Sequence, residues 1–278
     1  MTYFIHGANG AQGGPVATAL RSAGHTVHAG VRDADTYRGQ DHAVAVDLAS
    51  AESLELAYRD TAGVFVHLPV GPPDQQLAHA TAIIQAVEAA KPSRVVVSTS
   101  GYATTPDAPL GQLIAGLQRA GVSLAVIEPR LFLENLLLPT VVGPAKSEGV
   151  LRYPIRADYA VSWVSHLDIA DIAARLLTDT ETTGRVGVGA LPGLLGADLA
   201  AGFSKHLGRD VTFEAQDPDA FGASIEPMFG AAGAAPVVDS YRWRAGQPDE
   251  IIDKATSAQS LLGIEPRSIQ RWLADLGV

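Results

Sequence analysis

Near the start of the chain a short apolar strand, Tyr3-Phe4-Ile5-His6, runs into Gly7-Ala8-Asn9-Gly10-Ala11-Gln12-Gly13, and a helix-forming stretch, Pro15-Val16-Ala17-Thr18-Ala19-Leu20, follows at once. A GxxGxxG turn placed this way lets backbone N–H groups approach a pyrophosphate and sets its charge at the positive end of a helix. With 28 glycines in 278 residues, such triplets also arise as ornament, so the flanking order has to carry the reading. Pro15 stands in the first helical turn, where its missing N–H costs nothing. Ala23-Gly24-His25 ends the helix, and Thr26-Val27-His28-Ala29-Gly30-Val31 is a second strand. Strand, glycines, helix and strand in that order predict a dinucleotide-binding βαβ unit.

The residue just past the second strand separates two cofactors. An acid there would accept hydrogen bonds from the adenosine ribose of NAD, whereas a guanidinium matches the 2′-phosphate of NADP. The chain has Arg32, with Arg38 a few residues on as a second phosphate partner, which favours NADP(H). The alternative is that Arg32 is a solvated loop residue.

Strand and helix signals keep alternating: Ala43–Val46, Ala51–Tyr58, Val64–Leu68, Gln75–Ala90, Arg94–Ser98, Leu113–Arg119 and Ser123–Ile127. Alternation of this kind predicts an α/β fold of Rossmann type, a doubly wound parallel sheet with helices on both faces. Ligands on such sheets bind at the carboxyl ends of the strands. The candidate site is therefore drawn from Asp47-Leu48, His67-Leu68-Pro69, Ser98-Thr99-Ser100 and Pro129-Arg130-Leu131-Phe132, with Ser100 and Phe132 on the substrate side. Residues 143–162 leave the sheet, and Arg185–Gly189 returns to it. From about residue 191 to 278 the chain reads as a smaller, mainly helical C-terminal substrate lobe with one short strand, Val211-Thr212-Phe213. The expected division is thus 1–190 for the nucleotide-binding domain, with 143–162 contributing to the second lobe, and 191–278 for that lobe.

Composition excludes several chemistries. Zero cysteines rule out disulfides, thiolate catalysis and iron–sulfur centres, and the histidines show no metal-ligand spacing. A net charge of −10 argues against nucleic acid as the main partner, because phosphate binding needs a concentrated basic face. With no basic-and-apolar leader and no apolar run of spanning length, the expectation is a cytoplasmic protein without a membrane partner, a monomer or homodimer acting on a small-molecule substrate.

The motifs GANGAQGG, VRD after the second strand, VDLAS after the third, VVVSTSGY at the fifth and PRLFLENLL after the sixth, taken in this order, resemble the NmrA-like atypical short-chain dehydrogenase/reductases. Within that family the likeness is to the quinone oxidoreductase and triphenylmethane reductase branch. WVSHLDIADIAARLL, LAAGFSKHLGRDVTF and LLGIEPRSIQRWL extend the resemblance over most of the chain. It implies that Gly7, Asn9, Gly10, Ala11, Gln12 and Gly13 line the pyrophosphate, that Arg32 meets the 2′-phosphate, and that Asp47 and Leu48 lie near the adenine. His67, Leu68 and Pro69 would pass the ribose and nicotinamide side with Ser98, and Asn135 matches a position near the nicotinamide end. Asp47 reads equally well as a carboxylate ahead of a helix capped by Ser50.

Ordinary short-chain dehydrogenases use a Tyr-x-x-x-Lys pair to move a proton beside the hydride. This chain contains none, and the helix at Leu110–Arg119 has neither residue. The branch it resembles also lacks the pair and serves electron-poor acceptors that need less acid help. Of the remaining donors, Tyr102, Ser98, Ser100 and His67, the best candidate is Tyr102, in the loop after the fifth strand. Its alternative role is packing. His166 and Asp168 look like a pair but read better as the start of a helix, with Ser165 capping it. In the second lobe Phe221, Ile225, Met228, Phe229, Tyr241 and Trp243 are candidate pocket residues, although an apolar-aromatic stripe is more often plain core. Phe229–Pro236, rich in glycine and alanine, reads as a hinge or flap rather than a rigid element. The sequence supports an NADPH-dependent reductase of a conjugated small molecule, with a non-catalytic NADP(H) sensor as the alternative and non-redox biosynthetic chemistry behind both.

Overall fold

Strands that are apolar at every position cannot face water on either side, and that property builds the sheet here. In the computed structural model, which describes residues 1–278, Val64-Phe65-Val66 and Val95-Val96-Val97 all have 0% exposure. They belong to β4 (Gly63–Val66) and β5 (Arg94–Ser98) of a seven-stranded sheet. The other strands are β1 (Thr2–His6), β2 (Thr26–Val31), β3 (His42–Ala45), β6 (Leu124–Pro129) and β8 (Gly184–Val188). Their order is β3-β2-β1-β4-β5-β6-β8, and every pairing is parallel. The chain reverses its direction of travel across the sheet between β1 and β4, the switch point where such sheets bind ligands.

Helices cover both faces, as parallel strands require. α2 (Ala51–Tyr58), α3 (Pro73–Ala90) and α4 (Pro109–Arg119) pack side by side, and α1 (Gly13–Ser22) packs against α6 (His166–Thr178). The core beneath α2 to α4 joins Leu54, Tyr58, Ile83, Val87, Leu113 and Leu117 to Val64, Val66, Val95, Val97 and Val126 of the sheet. Ser50 caps α2 by accepting from Ser53 N–H.

The chain forms two compact units, each drawn from three segments. The first is residues 1–129, 166–188 and 255–264, which carries the sheet and also α9 (Ala258–Leu262) beside β8. The second is residues 130–165, 189–254 and 265–278. It contains α5 (Pro139–Ser147), β7 (Val150–Tyr153), α7 (Gly196–Leu207), β9 (Thr212–Ala215), α8 (Pro218–Ala245) and α10 (Ile269–Leu276).

One expectation for this second unit is met and one needs correction. Residues 191–278 hold the one strand expected there, β9, which pairs in parallel with β7 from the 143–162 segment, Leu151 opposite Phe213. The stretch Phe229–Pro236 is not a loop. It lies inside α8, because Ala231, Ala232, Ala234 and Ala235 are strong helix formers, and only Gly230, at φ 71° and ψ 163°, leaves helical geometry.

Candidate functional site

The glycine turn is shaped by close backbone contacts. Gly7 adopts φ +60°, and Gly10 N–H donates to the Gly7 carbonyl at 2.7 Å. A Cβ on Gly13 would collide with the carbonyl oxygens of His6 and Gly7, so α1 starts tight against the end of β1. α1 has no side-chain cap at its N-terminus and no acidic residue in its first turn. Gly14 N–H donates to the Gly10 carbonyl at 3.1 Å and Pro15 has no N–H, so it is chiefly the positive dipole end that is left for an anion. Asn9, Gly10 and Ala11 are exposed at this end.

His67, just past β4, closes the other side of the switch point. A Cβ on Gly7 would lie 2.6 Å from His67 Nε2, so the imidazole occupies the space that a side chain at residue 7 would need. That nitrogen is buried and makes no hydrogen bond. Burial holds the His67 pKa below the usual histidine value; backbone hydrogen bonding at Leu68 opposes the shift and His166 reinforces it. Beneath it, His6 Nε2 and the Tyr58 hydroxyl share a hydrogen bond of 2.6 Å. Burial, with His67 and His79 nearby, lowers His6 to about 3, so this layer is neutral at physiological pH. Leu68 is buried and packs in the core, and Pro69 offers its carbonyl to Gln76 at 2.8 Å.

At the end of β2, Arg32 is exposed and makes no ion pair. The nearby Asp41 does not compete for it, since Arg21 (2.6 Å) and the Tyr37 hydroxyl (2.8 Å) already hold that carboxylate. Arg38 instead donates to the carbonyls of Asp35 and Tyr37, at 2.8 and 3.2 Å. After β3, Asp47 Oδ1 accepts from Ala49 N–H at 2.9 Å, a local turn ahead of the Ser50 cap, while Leu48 packs on the core.

The end of β5 brings three expected residues together. Ser98 donates to Gln12 Oε1 at 2.8 Å, and Gln12 Nε2 donates to Ser100 Oγ at 2.9 Å. Gln12 lies in the glycine loop, but its side chain is committed to these serines. Tyr102 is 38% exposed, and burial of the rest of its ring raises its hydroxyl pKa, against a hydrogen bond from Gln76. A raised pKa makes it a hydrogen-bond donor rather than a ready proton source. His166 and Asp168 open α6, with Asp168 in its first turn and buried.

In the second unit, Asn135 sits in the 3₁₀ turn Leu133–Leu137 after the half-buried Phe132. Sequence reasoning missed its neighbour, Tyr153. The Tyr153 and Tyr241 hydroxyls are hydrogen-bonded to one another deep in this unit, and Tyr153 also has Asn135 as a partner. Burial pushes the Tyr153 hydroxyl far up, and Tyr241 to about 12. Arg244 lies 5.5 Å over the Tyr241 ring and pairs with Glu250 at 2.8 Å. Phe221 packs in this cluster, 5.7 Å from Tyr153 and 5.6 Å from Tyr241, and Ile225 is fully buried. These are core residues. Met228, Phe229 and Trp243 are exposed on α8. The alternation of Leu151 and Tyr153 inward was the only local sign of Tyr153, and it is too short to separate a strand from a loop.

Residues 7–120 match the protein family described as NAD(P)H-binding. The fold matches triphenylmethane reductase of Citrobacter sp. complexed with NADP(H), at a TM-score of 0.75 and 17% identity over 98% of each chain. It matches the NADPH-dependent quinone oxidoreductase QOR2 of Escherichia coli, complexed with NADPH, at 0.74 and 17% over the whole of both chains. A nucleoside-diphosphate-sugar epimerase of Staphylococcus aureus matches at 0.74 and 17%, over 98% of this chain and 99% of that one. No curated protein matches the chain significantly by sequence. Residues 7–120 thus carry the match to the NAD(P)H-binding family, within a parallel-sheet fold that the whole chain shares with these solved structures.

Proposed function

We propose that this protein is an NADPH-dependent reductase of a quinone-like or other conjugated small molecule. The observation that carries the reading is the join between the cofactor loop and a reactive strand end: Gln12 of the glycine turn is hydrogen-bonded to Ser98 and Ser100 after β5. Hydroxyl groups thereby stand beside the loop that receives the pyrophosphate. A bound NADPH supplies hydride; this chain's residues bind, orient and stabilise charge. The uncapped end of α1 and the turn from Gly7 to Gly13 receive the pyrophosphate, and Arg32, free of acidic partners, reads the 2′-phosphate. Arg38 lies in the same loop as a second cation. Asp47 and Leu48 border the adenine, and His67 to Pro69 border the ribose side. On the substrate side of the first unit we place Ser100; in the second unit Phe132 and Asn135, and the exposed Met228, Phe229 and Trp243, are the residues we assign to an aromatic acceptor. Tyr102 contributes a hydrogen bond rather than a proton.

The absence of a tyrosine with a lowered pKa suits acceptors that need little acid help, since both Tyr102 and Tyr153 are raised. The same observation favours the second reading, a sensor that binds NADP(H) without turnover. Titration of the purified protein with NADPH and NADH, followed by loss of the nicotinamide absorbance with a panel of quinones, conjugated imines and enones, separates them. Oxidation of NADPH by any acceptor supports the reductase. Tight NADPH binding without turnover across the panel supports the sensor, and no binding of either nucleotide overturns both.

A further inference from the structure

Gln12, Ser98 and Ser100 form a closed ring of hydrogen bonds whose directions are determined. Ser100 N–H donates to Ser98 Oγ at 3.3 Å, Ser98 Oγ donates to Gln12 Oε1 at 2.8 Å, and Gln12 Nε2 donates to Ser100 Oγ at 2.9 Å. Ser98 is 1% exposed, and its hydroxyl has a single proton. With one lone pair taken by the Ser100 N–H, that proton goes to its one available acceptor, the Gln12 carbonyl oxygen. This decides which end of the amide faces Ser98, and leaves the N–H end for Ser100. Ser100 Oγ therefore accepts inside the ring and keeps its own proton, which no protein acceptor takes. Ser100 is also held at φ +52°, a left-handed conformation that a residue with a Cβ adopts rarely and at a cost.

We infer that Gln12 is a positioning residue for the reduction: by donating to Ser100 Oγ it turns the Ser100 proton outward, toward the acceptor oxygen on which negative charge develops. The inference rests on the reductase reading and deepens it. The balance is simple for a quinone. Hydride carries two electrons and one hydrogen from NADPH to the acceptor, the acceptor's oxygen gains the charge, Ser100 O–H hydrogen-bonds to that oxygen, and a proton from water completes the hydroquinone. Ser100 keeps its proton throughout. Gln12 itself touches neither substrate nor hydride.

The discriminating variant is Gln12→Glu. A carboxylate at residue 12 still accepts from Ser98 but has no N–H for Ser100, so the Ser100 proton turns inward to it. The prediction is a fall in kcat, read at saturating NADPH because the new charge in the cofactor loop also weakens nucleotide binding, of roughly a hundred- to a thousandfold at pH 8, in the range of one lost charge-stabilising donor. Lowering the pH protonates the introduced carboxyl, restores a donor to Ser100, and recovers kcat in Gln12→Glu but not in Ser100→Ala. The double variant Gln12→Glu/Ser100→Ala is no slower than Ser100→Ala alone, because both remove the same hydrogen bond. If Gln12→Glu does not fold, Gln12→Met, similar in volume and unable to donate, shows a fall in kcat at saturating NADPH. A wild-type kcat at saturating NADPH in Gln12→Glu at pH 8, or an absent acid recovery, overturns the positioning role. A wild-type protein that binds NADPH but reduces no quinone overturns the reductase reading and this inference with it.

Discussion

Gly7 is held to glycine from two directions, by a φ of +60° and by the His67 ring lying where a Cβ would go. Gly13 is held by backbone alone, and backbone cannot give way as a side chain can. Gly13→Ala is therefore expected to abolish binding of both nucleotides, read by NADPH and NADH titration. Retained binding would show that the turn relaxes without disturbing the site. Arg32→Asp separates the two nucleotides instead. Removing a charge-assisted bond to phosphate costs about 1.5–3 kcal/mol, and the new acid adds repulsion. NADPH affinity should fall roughly ten- to a hundredfold more than NADH affinity. Equal losses would show that Arg32 does not read the 2′-phosphate.

At the scale of elements, a buried arginine ties the far end of the sheet. Arg94 opens β5 at 1% exposure, donates to the Leu176 carbonyl at 2.8 Å and to Ser123 Oγ at 2.8 Å, and also reaches the Thr182 carbonyl. It thus joins β5 to the end of α6 and to the turns before β6 and β8. Arg94→Ala strands these acceptors and leaves a cavity, and is expected to cost about 3 kcal/mol or more of stability by denaturant unfolding with NADPH affinity retained in the folded protein. An unchanged midpoint would refute the tie. Gly230 breaks α8 at a backbone geometry that only glycine adopts readily, and a Cβ there meets no atom within 4 Å. Gly230→Ala should therefore cost on the order of 1–3 kcal/mol through strain alone, or straighten the helix, which would appear as gained helicity by circular dichroism.

Across the whole molecule the buried histidines set the response to acid. His6 falls to about 3 in the folded chain against 6.5 unfolded, and His67 is lowered in the same direction. Above pH 6.5 both states are neutral and the difference vanishes. Below it the unfolded chain takes up protons that the folded chain refuses, so stability is lost as pH falls, at about 1.4 kcal/mol per pH unit for each such histidine. Melting temperature should be level above pH 7 and decline from pH 6.5 toward 4. The gap between wild type and His6→Asn should narrow over that interval, and a constant gap would exclude His6 as a cause. No helix of the structure is long and apolar enough to cross a membrane.

Local pattern made much of the first unit legible. β2 and α2 occupy the residues their patterns predict, Thr26–Val31 and Ala51–Tyr58, because a strand entered from the Ala23-Gly24-His25 turn and a capped helix carry their signals within a few residues. The glycine turn was legible for the same reason. β7 was not, since its partner β9 is some sixty residues away and four residues of strand have no period of their own. Nor could the pattern separate Phe221, which packs among tyrosines, from Trp243, which is exposed, when both read as members of one apolar-aromatic stripe. The sequence by itself determined the βαβ entry, the parallel sheet and the basic residue after β2, all written in neighbouring residues. Only the tertiary structure decided that His67 fills the space beside Gly7, that Gln12 faces Ser98 and Ser100, and that Tyr153 meets Tyr241. These groups lie far apart along the chain, and folding alone sets their distances and the directions of their hydrogen bonds.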